Sequence, residues 1–211
     1  MQLGEQLINP TEARLRLSAQ LGVRGIVIDT RPNRQLLDEA GRWDAAKVAN
    51  QRRFVEGFGL RLDVLALDVG SVLLDSLYAP NRAAATAEGL RADIRAAAAG
   101  GVPILKYNLQ MVGITRTGVV AGRGGVACSA FRAADYDPVR DAQFSYWGVG
   151  HPGSNSGDTD EPGNAVGTPE ACGQVLGSSV PGVTAEQGWQ ALEYLVAAIV
   201  PTAQAEGVTL A

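Results

Sequence analysis

Four times along this chain a helix-like segment stops on glycine and a strand-like segment starts after almost no linker. The junctions are Gly22 before Val23–Ile28, Gly59 before Leu60–Leu67, Gly101 before Val102–Asn108 and Gly207 before Val208–Ala211. A glycine just past a helix takes the left-handed backbone conformation that closes the last turn without a Cβ clash. Repetition of that closure predicts repeated strand–helix units. The crossovers are too long for hairpins, so the strands lie parallel with helices packed on them. Alternation by itself suits either a barrel or a doubly wound open sheet. The uniform short helix-to-strand junctions, set against longer and more polar strand-to-helix connections, favour a partial TIM (β/α)8 barrel. About five parallel strands are expected, with the chemistry on the strand-to-helix side.

The units read as follows. Leu3–Leu7 is a first strand, and Asn9 or Thr11 caps a helix with Leu15, Leu17 and Leu21 among its apolar residues. Asp44 caps a second helix to about Gly57, with Ala45, Val48, Phe54 and Val55 as apolar positions. Asp68–Pro80 reads as a loop, and Asn81 as the cap of an alanine-rich helix through Ala99. Thr184 with Gln187 forms a capping-box pattern for a last helix to about Glu206, which Pro201 should kink or split. Residues 109–183 break the rhythm: they hold more than half of the 26 glycines and half of the 10 prolines. They are expected to be a long strand-to-helix loop inserted in a single incomplete barrel domain, 1–211, with His151–Asn164 as its mobile part.

Composition narrows the function classes. A net charge of −4 carries no basic block for nucleic acid or anionic membrane. No signal peptide or membrane-length apolar run is present in the sequence. Cys128 and Cys172 make no C-x-x-C pair, which suits a reduced, cytoplasmic setting. One histidine, His151, rules out a multi-histidine metal site built from these residues.

Specific residues then bring in a family. They are Tyr107-Asn108, Ile114-Thr115-Arg116-Thr117-Gly118, Gly122-Arg123-Gly124-Gly125 and Ser129-Ala130-Phe131. The last helix adds Thr184-Ala185-Glu186-Gln187-Gly188-Trp189, Leu192-Glu193-Tyr194-Leu195, Ile199-Val200-Pro201-Thr202-Ala203 and Glu206-Gly207-Val208. Together these resemble the N-terminal part of mannonate dehydratases, in the xylose-isomerase-like barrel group. The resemblance implies a hydro-lyase of hexuronate catabolism, removing water from D-mannonate to give 2-keto-3-deoxy-D-gluconate. It implies a divalent cation, typically Mn2+, held by His, Cys and Asp on strands five onward, the first of them just past Ala211. None of those ligands falls within this sequence. The chain is therefore expected to be a fragment that binds no metal and is inactive alone, with a homo-oligomer open to the full-length form.

Asn108, Arg116 and Arg123 are the candidate substrate-binding residues, with catalytic groups unassigned. Guanidinium groups suit a sugar-acid carboxylate through paired hydrogen bonds, though they could equally brace the glycine-rich loop. Asn108 stands at the carboxyl end of strand four, where barrel sites form. Asp29 and Asp68 also follow strands, and each could instead cap a turn. Tyr107 should pack on the opposite side of its strand, and Trp189, Tyr194 and Leu195 on the barrel exterior. Gly122-Arg-Gly-Gly lacks the lysine and following helix of a phosphate loop. The rival functions are a sugar isomerase or epimerase of the same barrel group, and a non-catalytic α/β binding protein.

Overall fold

The computed structural model describes residues 2–8, 10–29, 34–107, 117–136 and 184–211. The chain divides into two compact units, Met1–Leu109 with Ala185–Ala211, and Gln110–Thr184.

The larger unit is an arc of an α/β barrel. Its strands are β1 (Gly4–Leu7), β2 (Gly25–Asp29), β3 (Arg61–Ala66), β4 (Ile104–Lys106) and, last in the chain, β7 (Thr209–Leu210). They form one sheet in the order β1-β2-β3-β4-β7, with every pairing parallel. Each new strand is laid beside the one before it, and none is inserted between earlier ones. A doubly wound sheet reverses its order partway, so this succession is that of barrel staves. Among the described residues, β1 and β7 pair on one side only.

Its helices are α1 (Glu12–Gln20), α2 (Ala45–Glu56), α3 (Gly70–Tyr78), α4 (Pro80–Ala99) and α5 (Ala185–Ala205). Thr11 and Asp44 cap α1 and α2 as the sequence suggests, accepting from the amides of Arg14 and Lys47. All four glycines at the helix-to-strand junctions have positive φ: +83° at Gly22, +73° at Gly59, +81° at Gly101 and +68° at Gly207. Three junctions share one hydrogen-bond pattern. The glycine amide donates to the carbonyl three residues back and the next valine amide to the carbonyl five back, as in Val23 to Ser18, Val102 to Ala97 and Val208 to Ala203. These are Schellman closures, and the valine that follows each is buried.

Strand alternation separates two faces. Leu7, Ile28, Leu65 and Leu105 form one cross-strand row and are almost wholly buried. Glu5, on that same face, meets Ser18 and Arg14 of α1, so this is the face that carries helices. The row between, Gln6, Val27, Val64, Ile104 and Thr209, is half-buried or exposed. It is the concave inner face. Lys106 of β4 donates to Gln6 of β1 across that face. On a flat sheet those strands would lie about 14 Å apart, three spacings of ~4.8 Å, with side chains standing parallel. They meet because the sheet curls and both point toward a common axis. Lower on the same face, Arg61 pairs with Asp63 at 3.0 Å and donates to Gln2 at 2.7 Å. Asp63 falls where the β2–β3 register slips, and its carboxylate fills the space a Cβ on Gly25 would need.

Several expectations are corrected. Asp68–Pro80 is not a loop, because Gly70–Tyr78 is helical with Val72 and Leu73 buried. Burial of that apolar side outweighs the glycine, serine and aspartate that made the stretch look irregular. Asn81 is not a cap: α4 begins at Pro80, whose fixed φ suits a first helical position, and Asn81 lies in the first turn. Trp189 and Tyr194 do not pack inward, being 63% and 37% exposed, whereas Leu195 is buried with Ala191, Ile199 and Ala203 along one side of α5. Pro201 does not split α5, which is helical from Ala185 to Ala205. Proline removes the amide that would bind Ala197 and crowds the preceding turn. The guanidinium of Arg91 on α4 donates to the adjacent Ala198 carbonyl at 3.1 Å.

The smaller unit contains the antiparallel hairpin β5 (Gly118–Ala121) and β6 (Ala127–Ala130), joined by a turn through Arg123–Gly125.

Two glycines separate two physical causes. A methyl group on Gly207 would meet nothing, but its φ is positive, so Gly207→Ala should cost about 1–2 kcal/mol from backbone strain alone. Gly100 has an ordinary helical φ, but a Cβ there would collide with the Val48 side chain of α2. Gly100→Ala should therefore cost about 1–3 kcal/mol through overpacking. Denaturant unfolding of each variant checks both values.

Candidate active-site mouth

In a barrel, chemistry is done at the carboxyl ends of the parallel strands. On this arc those positions are Ile8 after β1, Asp29 ending β2, Asp68 just past β3, Lys106 ending β4 and Ala211 after β7. Asp29 lies two residues beyond Val27, hence on the inner face, and is only 3% exposed. Lys106 lies two beyond Ile104, on the same face, and is half-buried with its ammonium on Gln6. The arc therefore presents a cationic side chain, a carboxyl group and an amide toward one concavity.

Asp68 does the local work that the turn demands, accepting from the Gly70 amide at 3.0 Å at the start of α3. Tyr107 is half-buried, and its amide donates to the Ala211 carbonyl, extending the β4–β7 ladder. Arg123 lies in the turn of the hairpin in the smaller unit and is exposed. Cys128 is exposed on β6. Asn108, Arg116, His151 (with its expected mobile segment) and Cys172 lie outside the described residues.

Lys106 and Gln6 were not singled out by the sequence. The usable signal was a lysine in the otherwise apolar Val102–Leu105 run, at the inward parity of a strand end.

Behind the mouth, Asp93 of α4 anchors the connection between β2 and α2. Its carboxylate accepts from the Trp43 amide at 2.9 Å and pairs with Arg42 at 3.4 Å. Burial pushes this carboxyl above its ordinary range, against the pull of the Trp43 amide and Arg42, and the carboxylates of Asp38 and Asp68 push it further.

Among the described residues no group of three or more His, Cys, Asp or Glu side chains could hold a metal ion. A divalent cation thus finds no donor set there. No helix among them is long and apolar enough to cross a membrane.

The fold defines part of an α/β barrel of sequentially added strands. No family model and no curated protein sequence matches the chain. Among solved structures it is similar to the mannonate dehydratase from Streptococcus suis serotype 2, with a TM-score of 0.66 and 21% identity. The match covers 100% of this chain and 52% of that one, so the chain spans about half the length of the structure it resembles. At that identity the likeness is one of fold.

Asp93 gives a pH test. Its carboxyl is harder to ionise folded than unfolded, so the native state holds the extra proton. Its contribution to stability is full on the acid side and is lost as pH rises through the raised value. Asp93→Asn should flatten that fall from about pH 4 upward. Asp93→Ala, which strands the buried Trp43 amide, should cost about 1–3 kcal/mol. Thermal unfolding at a series of pH values reads both.

Proposed function

We propose that this chain forms the N-terminal staves of a mannonate dehydratase-like hydro-lyase acting on D-mannonate. The observation that carries the reading is the curled, sequential parallel arc, alike in fold to half of a mannonate dehydratase. The strand-four and last-helix motifs support it. So does a mouth whose Lys106, Asp29 and Gln6 have the polarity a sugar acid requires.

The reaction removes a proton from the carbon beside the carboxylate and hydroxide from the next carbon. The resulting enol becomes 2-keto-3-deoxy-D-gluconate, with water as the other product. In this reading the described residues bind and orient the sugar acid, and Asn108, Arg116 and Arg123 are further candidates for its anionic end. The divalent cation, Mn2+ by resemblance, has no place among the described side chains, and its ligands would come from later staves. The protein acts in the cytoplasm, on a small-molecule substrate.

The product of the complete reading frame that encodes this sequence, supplied with Mn2+, should convert D-mannonate to 2-keto-3-deoxy-D-gluconate, while residues 1–211 alone should not. Interconversion of sugars without loss of water would replace the reading with the isomerase one. Neither activity, together with cooperative monomeric unfolding of residues 1–211, would favour a binding protein.

A further inference from the structure

We propose that the β5–β6 hairpin of one copy of this chain docks on the outward stripe of α5 of a second copy. That stripe is Glu186, Trp189, Gln190 and Glu193, which share one side of the helix and are all exposed. It lies opposite the buried row of Ala191, Leu195, Ile199 and Ala203. Trp189 at its centre is 63% exposed. From Ala185 to Ala205 the helix carries two carboxylates and no lysine, arginine or histidine. Glu186 accepts from Gln190 at 3.1 Å, which takes one of the several acceptor sites of a carboxylate. The hairpin has the opposite character. From Gly118 to Arg132 it holds Arg123 and Arg132 and no aspartate or glutamate, with Asp135 three positions further on. Arg132 is exposed, and its backbone amide is tied to Thr117 Oγ1 at 2.8 Å. Phe131 and Tyr136 are 54% and 44% exposed, with ring centroids 5.9 Å apart. Docked, the Arg132 guanidinium lies over the Trp189 ring between Glu186 and Glu193, which stand two helical turns apart, about 10 Å. A guanidinium has donors for carboxylates and a flat face for an indole, so it serves both at once. Tryptophan and arginine are also the side chains that most often carry binding energy at protein interfaces. Charge fixes which surface meets which: hairpin on hairpin, or α5 on α5, would set like charges together. Every copy carries both halves, so reciprocal docking closes a dimer.

The test is sedimentation velocity of the 211-residue chain across a concentration series. The wild-type chain should associate reversibly to a dimer, more weakly in high salt. Arg132→Glu should weaken dimerisation at least about tenfold, and Glu186→Lys with Glu193→Lys should do the same, because each sets like charges face to face. Mixing the two variants should restore association: the reversed hairpin of one meets the reversed stripe of the other, and the native hairpin meets the native stripe. Trp189→Ala, read alongside far-UV circular dichroism, should also weaken dimerisation and keeps the test open if a charge reversal does not fold. A wild-type chain that stays monomeric, association unchanged by the folded variants, or a mixture no stronger than its parts would each overturn the proposal. Association through the open edges of β1 and β7 gives the second of these outcomes. The readout is assembly alone, so dehydration of D-mannonate by the complete protein, or its absence, bears only on the functional reading above.

Discussion

The left-handed glycine between each helix and the strand that follows it is the constraint on which the larger unit depends. A helix closed by Gly22, Gly101 or Gly207 hands the chain to the next strand after one or two residues, in a fixed direction, with a buried valine as the first point of contact. Because the closure is the same each time, the geometric step from one stave to the next is the same. Equal steps in one sense make a sequential parallel sheet, and the twist inherent in such a sheet makes it curl. The concavity and everything lining it follow from that repetition.

What was legible in the sequence follows the same division. Features governed by local stereochemistry were readable: the glycine stops, the Thr11 and Asp44 caps and the parallel sense of the strands. Features governed by tertiary burial were not. Gly70–Tyr78 looked irregular because its glycine and polar residues lie beside Val72 and Leu73, whose burial makes the helix worth forming. Asn81 is a good cap by type, but Pro80 one residue earlier sets the helical φ first. Trp189 and Tyr194 are exposed because the buried side of α5 is drawn by Ala191, Leu195, Ile199 and Ala203, spaced four apart. For the site, residue type favoured arginines, whereas the side chain that reaches across the arc is Lys106. That contact joins residues a hundred positions apart, and no local pattern announces it.

The inner face is graded from one end to the other. At the amino end of the strands, Arg61 and Asp63 neutralise each other beside Gly25, and the β3 bulge gives the carboxylate its room. In the middle lie Val27, Val64 and Ile104. At the carboxyl end, Lys106 and Asp29 come from strands two places apart in the sheet. The polarity of the arc thus distinguishes a floor from a mouth.

Pro201 has a consequence for how the last helix comes to exist. A proline in mid-helix deprives an isolated segment of an internal bond, and the guanidinium that serves the neighbouring carbonyl belongs to α4, over a hundred residues upstream. The segment is thus a weak helix in solution and a sound one only when docked, so its structure is borrowed from a scaffold already standing. On a growing polypeptide this enforces an order of assembly: the early staves and α4 form a template, and the later α5 segment acquires its shape by settling onto it.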